Sequence, residues 1–137
     1  MHADVADALG AVFEELASAR FPIQRMDAID PLPVDDTSRV SSNNTVGFKC
    51  RAARGGSSWS EHAYGHAVDI NPVDNPSVRD GAATPPLGSD RLDRSLDAPG
   101  MIHEGDVVTQ AFDAIGWSWG GRWSVPQDYM HFSINGR

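Results

Sequence analysis

The chain has 137 residues, a net charge of −8 and 40% hydrophobic side chains, so a single domain with one core over residues 1–137 is expected. Its few scattered basic residues do not provide the charge needed to bind nucleic acid or an anionic membrane surface. The single cysteine, Cys50, excludes an intramolecular disulfide and a four-cysteine zinc site.

No segment approaches the roughly 20 apolar residues that span a bilayer, so membrane insertion is not expected. The N-terminal sequence Met1-His2-Ala3-Asp4 is acidic and lacks the basic and apolar regions of a signal peptide. A domain cut from a longer exported protein would begin in the same way.

An amphipathic helix is predicted from Ala3 to Ala19, because apolar residues recur there at helical spacing. Pro22 follows the end of this pattern. A short strand is predicted within residues 23–29, before Pro31 and the next proline impose an extended or turning path.

The next predicted strand covers residues 45–51. Val46, Phe48 and Cys50 alternate on one face, and Arg51 lies on the other. This alternation predicts that Cys50 is a small buried hydrophobic residue.

The middle of the chain combines one short buried strand with a long irregular segment. Gly65 ends any helix that begins at Ser60, and residues 67–70 are predicted as a strand that ends before Pro72. Residues 73–100 are rich in Pro, Asp, Ser and Gly and show almost no periodicity. They are predicted to form a long loop over or beside a cleft.

A second helix is predicted over residues 104–115 and a final strand over residues 129–134. Trp117 and Trp119 are expected in the core, and Trp123 is expected to line a cleft. Two helices around several short strands predict an α+β domain.

Histidines and carboxylates are the candidate functional residues. His62 and Asp69 flank Gly65, where a turn leading into a strand can bring both side chains to one point. His131 lies in the last predicted strand, and Asp128 lies in the turn before it. Two imidazoles and one carboxylate leave one open position on a tetrahedral Zn²⁺, as catalytic sites require, and a nearby carboxylate can take a proton from water.

His66 is an alternative ligand to Asp69, because His62 and His66 would meet on one face of a helix, as in helical zinc peptidase motifs. Gly65 and the β-prone Val68 favour a strand instead, and His66 then points away from Asp69. His103 directly precedes the second helix, where a surface or capping role is expected.

Two motifs occur in order along the chain: Ser60-x-His62-x-x-Gly65-x-Ala67-Val68-Asp69 and Asp128-x-x-His131-Phe132. Together they resemble the VanY-like D-alanyl-D-alanine carboxypeptidase family of zinc peptidases, whose core is shared with lysostaphin and hedgehog. The resemblance spans roughly residues 45–134. It implies a small antiparallel sheet that carries the zinc site and is flanked by two main helices.

Residue by residue, the resemblance implies that His62, Asp69 and His131 bind zinc. It implies that Asp128 is the general base and that Ser60 contacts the substrate.

The family also uses an arginine to hold the substrate carboxylate. Arg51 is expected to have this role, because it ends a predicted strand shortly before the first motif. Arg39 and Arg54 remain alternatives.

The implied function is hydrolysis of amide bonds in peptidoglycan stem peptides, first of all as a D-alanyl-D-alanine carboxypeptidase. The alternatives are an L-alanyl-D-glutamate endopeptidase of the same family, a non-hydrolytic zinc-bearing binding module, and an Fe(II) oxygenase, which also uses two histidines and one carboxylate. The expected enzyme is a monomer. Its location is extracytoplasmic or in the cell wall if the chain is a domain of an exported protein.

Overall fold

The computed structural model describes residues 1–27, 40–53 and 58–136. Its α-helices are α1 (Ala6–Ser18), α2 (Glu61–Tyr64) and α3 (Val107–Ala114), and its 3₁₀ helices are Ala3–Val5, Pro86–Arg91 and Gly120–Arg122. Its strands are β1 (Ala67–Asp69), β2 (Ser77–Arg79), β3 (Ala82–Thr84), β4 (Ser118–Trp119), β5 (Gln127–Asp128) and β6 (His131–Ser133). The predicted α+β class is confirmed.

The strands form two antiparallel sheets of three strands each. The first sheet has the order β1-β6-β4, and the second has the order β3-β2-β5. Both sheets are small, as expected, but the second sheet was not predicted.

The core lies between α1, α3 and the first sheet. Leu9 and Leu16 of α1 are buried against Phe112 of α3 and Phe132 of β6. The rings of Phe112 and Phe132 stack with their centroids 4.1 Å apart. Because Phe132 directly follows His131, this packing anchors the strand that carries a predicted ligand.

Both predicted long helices are confirmed, and the second is shorter than expected. It begins at Val107 because the Asp106 side chain caps it, accepting a hydrogen bond from the Thr109 backbone N–H at 2.9 Å. The capping residue is therefore Asp106 and not His103, which is half-buried. The burial predicted for Trp117 and Trp119 is also confirmed.

The predicted strands at 23–29 and 45–51 are wrong for the residues that the structure describes. Each segment makes isolated bridges only, between Arg25 and Asn44 and between Val46 and Asp69, and residues 28 and 29 lie outside the described ranges. Cys50 is exposed rather than buried.

Lys49 gives the physical reason for this error. Its side chain turns inward and is only 9% exposed, because it pairs with a buried aspartate. Phe48 and Cys50, its neighbours in the chain, therefore face outward, and Phe48 is 43% exposed. The inward and outward pattern that the apolar residues predicted therefore holds at Val46, which is buried, and is reversed around Lys49 by the buried ion pair.

The segment 73–100 is not a loop without secondary structure. It contains the hairpin β2–β3 and the 3₁₀ helix Pro86–Arg91. The two hairpin strands are joined by Asp80 and Gly81, both with positive φ, which is typical of the tight type I′ turn.

The predicted final strand is also shorter than expected, at His131–Ser133, and Asp128 belongs to β5 of the second sheet rather than to a turn. No helix among the described residues has the length and apolar character needed to cross a bilayer.

Candidate metal centre and active site

Three buried side chains converge at the centre of the molecule. Nε2 of His62 lies 3.1 Å from Oδ1 of Asp69 and 3.2 Å from Nδ1 of His131, and the latter two atoms are 3.1 Å apart. This triangle is nearly equilateral. Its edges are close to the ligand spacing of about 3.3 Å that tetrahedral metal bonds of about 2.0 to 2.1 Å require. The three atoms fit one divalent cation with a fourth position left open.

His62 is positioned by the short helix α2. The Ser60 hydroxyl caps this helix by accepting a hydrogen bond from the His62 backbone N–H at 3.4 Å. Gly65 ends it in the left-handed conformation, with φ of 71°. The His62 Nδ1–H donates to the Gly47 carbonyl at 2.7 Å, which leaves the Nε2 lone pair directed at the cluster.

Asp69 and His131 are positioned by strand pairing. They lie directly opposite each other in the antiparallel pair β1–β6, so their side chains are neighbours on one face of the first sheet. His66 does not join them, because its Nε2 lies 3.1 Å from Oδ1 of Asp4. The structure thus brings Asp69, and not the alternative His66, to the two histidines.

Asp69 has a further partner that the sequence reading missed. Nζ of Lys49 lies 2.8 Å from Oδ2 of Asp69, and the two side chains are 9% and 6% exposed. Burial acts to raise the pKa of the Asp69 carboxyl. The adjacent His62 and the Lys49 ammonium, together with the contacts that Oδ1 makes with both imidazoles, outweigh burial and hold this pKa well below its usual value.

The cluster opens into a cavity of about 450 Å³. Arg51 and Ser60, both predicted to bind substrate, line this cavity. Ser60 is buried, and Nη1 of Arg51 donates to the Ala52 carbonyl at 3.2 Å. Arg39 and Arg54, the alternatives to Arg51, lie outside the described residues.

Asp128 reaches the same cavity from the second sheet. It is half-buried, lies opposite Ser77 of β2, and is separated from His131 by two residues. The backbone passes close to Gly120, where an added Cβ would lie 2.6 Å from the Asp128 carbonyl oxygen. A side chain at position 120 would therefore displace Asp128.

Trp123 also lines the cavity, as predicted from the sequence. Its ring centroid lies 5.3 Å from that of His131. Other cavity residues were missed by the sequence reading, namely Lys49, Ser77, Arg79 and Thr84. The Asp80-Gly81 turn is the signal that could have located the last three, because it marks a hairpin.

Comparison with known protein families gives one match. A family model described as D-alanyl-D-alanine carboxypeptidase matches residues 54–134, which is more than half of the chain. This range contains His62, Asp69, Asp128 and His131. Neither the curated proteins nor the solved structures include a match to the chain.

Proposed function

The chain belongs to the D-alanyl-D-alanine carboxypeptidase family, and from this membership we propose that it is a zinc peptidase that releases the terminal D-alanine of peptidoglycan stem peptides. The observation that carries the proposal is the triangle of His62, Asp69 and His131 beside a carboxylate, Asp128, that lines the same cavity. The further relationship to lysostaphin and hedgehog stays a prediction.

Zinc is the ion that we propose for this centre. Two imidazole nitrogens and one carboxylate oxygen, with one position open, are the donor set of many catalytic zinc sites. When bound, Zn²⁺ lowers the pKa of a coordinated water and polarises the scissile carbonyl. The inward-facing Nε2 of His62 supports this assignment, because its tautomer is fixed by the Gly47 carbonyl.

Asp128 is the proposed general base. It would accept a proton from the attacking water and return that proton to the leaving amine. Its half-buried position at the cavity wall supports this role. A non-hydrolytic binding module would have no need of such a carboxylate, so we place hydrolysis ahead of it.

Arg51 and Ser60 are the proposed substrate-binding residues. An arginine fork can hold a terminal carboxylate bidentately, and Arg51 lines the cavity beside the metal centre. This supports removal of a C-terminal residue over cleavage within a chain. Cleavage of the L-alanyl-D-glutamate bond is the second candidate, because Ser60 and the cavity suit either substrate.

The cavity is formed within one chain, so we propose a monomeric enzyme. Peptidoglycan lies outside the cytoplasmic membrane, and we therefore propose an extracytoplasmic or cell-wall location.

Product analysis tests the proposal. The protein is loaded with one equivalent of Zn²⁺ and incubated with a diacetyl-L-lysyl-D-alanyl-D-alanine peptide and, separately, with a peptide that contains an L-alanyl-γ-D-glutamate bond. Release of D-alanine from the first is expected. Cleavage of only the second would identify the endopeptidase.

Two outcomes would contradict hydrolysis. Binding of both peptides without any cleavage would indicate a binding module. Stoichiometric iron together with oxoacid-dependent turnover would indicate an Fe(II) oxygenase.

A further inference from the structure

Arg79 is an exposed arginine on the cavity wall. Its side chain makes no hydrogen bond or ion pair with any residue in the described parts of the chain. Arg25, Arg91 and Arg122 differ from it, since each has an aspartate or glutamate partner. In a chain of net charge −8, an arginine that lines the cavity without a carboxylate partner among the described residues is available to an anionic ligand.

The strand register places Arg79 on the same face as the proposed base. Ser77 of β2 lies opposite Thr84 on one side and Asp128 on the other. Arg79 is two residues further along β2 and therefore shares this face, about 7 Å from Ser77 between Cα atoms. All four residues line the cavity.

The hairpin fixes this position. Arg79 pairs with Ala82 directly across the Asp80-Gly81 turn, so it is the last residue of β2 before the chain reverses. The cavity wall thus continues from Asp128 through Ser77 to a guanidinium at the end of the hairpin.

We propose that Arg79 forms a second carboxylate-binding subsite, which selects peptides with a free carboxylate on the N-terminal side of the scissile bond. This inference rests on the proposed function. If Arg51 holds the terminal carboxylate, the substrate ends there, and any further acid must belong to the part of the peptide that precedes the cleaved bond. A guanidinium fork matches the geometry of such a group.

The substrate class is therefore a peptide with at least two carboxylates. The negative charge of the whole protein would repel such a peptide, and cations on the cavity wall would offset this repulsion locally.

Matched peptides test the subsite. All peptides are acetylated and end in D-Ala-D-Ala. In one series the varied position directly precedes this dipeptide, and in the other it lies one residue earlier. Each series contains one peptide with Glu and one with Gln at the varied position, so the two members of a pair differ only in charge. The wild type is expected to show a kcat/KM about fivefold higher for Glu than for Gln at one position. Added salt should reduce this ratio.

The Arg79→Gln variant is expected to bring the Glu-to-Gln ratio close to 1, and Arg79→Lys is expected to give an intermediate ratio. Arg20→Gln is the matched control, because the Arg20 side chain is exposed, pairs with none of the residues that the structure describes, and does not line the cavity. It should keep the wild-type ratio. An unchanged ratio in Arg79→Gln, or an equal loss on both peptides, would overturn the subsite.

Failure of the proposed function has a different signature. If the wild type cleaves neither peptide of a pair, D-alanine release is excluded. The dissociation constants of the intact Glu and Gln peptides, measured by calorimetry, then decide the subsite. A preference for Glu that Arg79→Gln removes would support it, and equal affinities would overturn it.

Discussion

Lys49 and Asp69 form a buried ion pair in which one carboxylate oxygen, Oδ2, faces the ammonium at 2.8 Å, while the other, Oδ1, faces His62 and His131. Oδ2 of Asp69 therefore binds the lysine, and Oδ1 contacts the two histidines. Lys49 is the only lysine in the chain, and the pair fixes which oxygen is presented to the proposed metal centre.

Replacing Lys49 by methionine should destabilise the metal-free protein more than the zinc-loaded protein. Without Lys49, the buried Asp69 carboxylate loses its ammonium partner and, among the described residues, keeps only its contacts with the two imidazoles, which costs about 3 kcal/mol of unfolding free energy. A bound cation supplies part of the missing positive charge. Urea unfolding with chelator and with Zn²⁺ measures the difference, and equal losses in both states would contradict this account.

Replacing His62 or His131 by alanine should abolish both zinc binding and activity, because each removes one of three converging ligand atoms. Zinc content after gel filtration, measured by atomic emission, checks the first effect. His103→Ala is the matched control, since His103 lies outside the cluster. Full zinc retention in His62→Ala or His131→Ala would exclude the mutated residue as a ligand.

Replacing Asp128 by alanine should leave zinc content unchanged and reduce kcat by about 10² to 10⁴. The carboxylate belongs to the second sheet and to none of the three proposed ligand positions, so its loss is expected to affect the proposed proton transfer and not metal binding. Parallel measurements of metal content and D-alanine release separate the two effects. If Asp128→Ala turned over substrate as fast as the parent protein, Asp128 would not be the general base.

Arg122 should stabilise the protein at neutral pH and lose this effect in acid. Its guanidinium contacts Glu104 at 2.6 Å and Asp113 at 2.7 Å, and these hydrogen bonds lower the pKa of both carboxyls. Groups with a lowered folded-state pKa contribute stability above their unfolded pKa of about 4, and this stability disappears as the pH falls through the folded-state pKa.

The Arg122→Gln variant tests this pH dependence. The three side chains are largely exposed, so the expected loss of unfolding free energy at pH 7 is at most about 1 kcal/mol. Melting temperatures of the parent and Arg122→Gln should differ at pH 7 and converge below about pH 3. A difference that persists at pH 2 would indicate packing rather than charge.

The helices and the pairing of His62 with Asp69 were predictable because their signals are local, whereas His131 was implied by the family resemblance. The stripe of Leu9, Val12 and Leu16 specifies α1 directly. The spacing of His62 and Asp69 around Gly65 already implied a turn that leads into a strand. The structure brings these two residues to His131 through the register of β1 and β6.

The second sheet and the inward orientation of Lys49 could not be predicted from local sequence patterns. Strands β2 and β3 have three residues each and β5 has two, which is too short for alternation to be recognised. Lys49 pairs with a residue 20 positions away, and nothing in its immediate neighbours signals that pairing. The second sheet and the inward orientation of Lys49 therefore both depend on contacts between residues that are distant in the sequence.

The division of the cavity between two sheets has a consequence for how the enzyme can change. Asp69 and His131 belong to the first sheet and Asp128 to the second, with only residues 129 and 130 between β5 and β6. A small displacement of one sheet against the other would alter the distance from Asp128 to the centre and leave the ligand triangle intact. Substitutions in the hairpin β2–β3 are therefore expected to change turnover, through the proposed base Asp128, more than they change binding of the proposed metal.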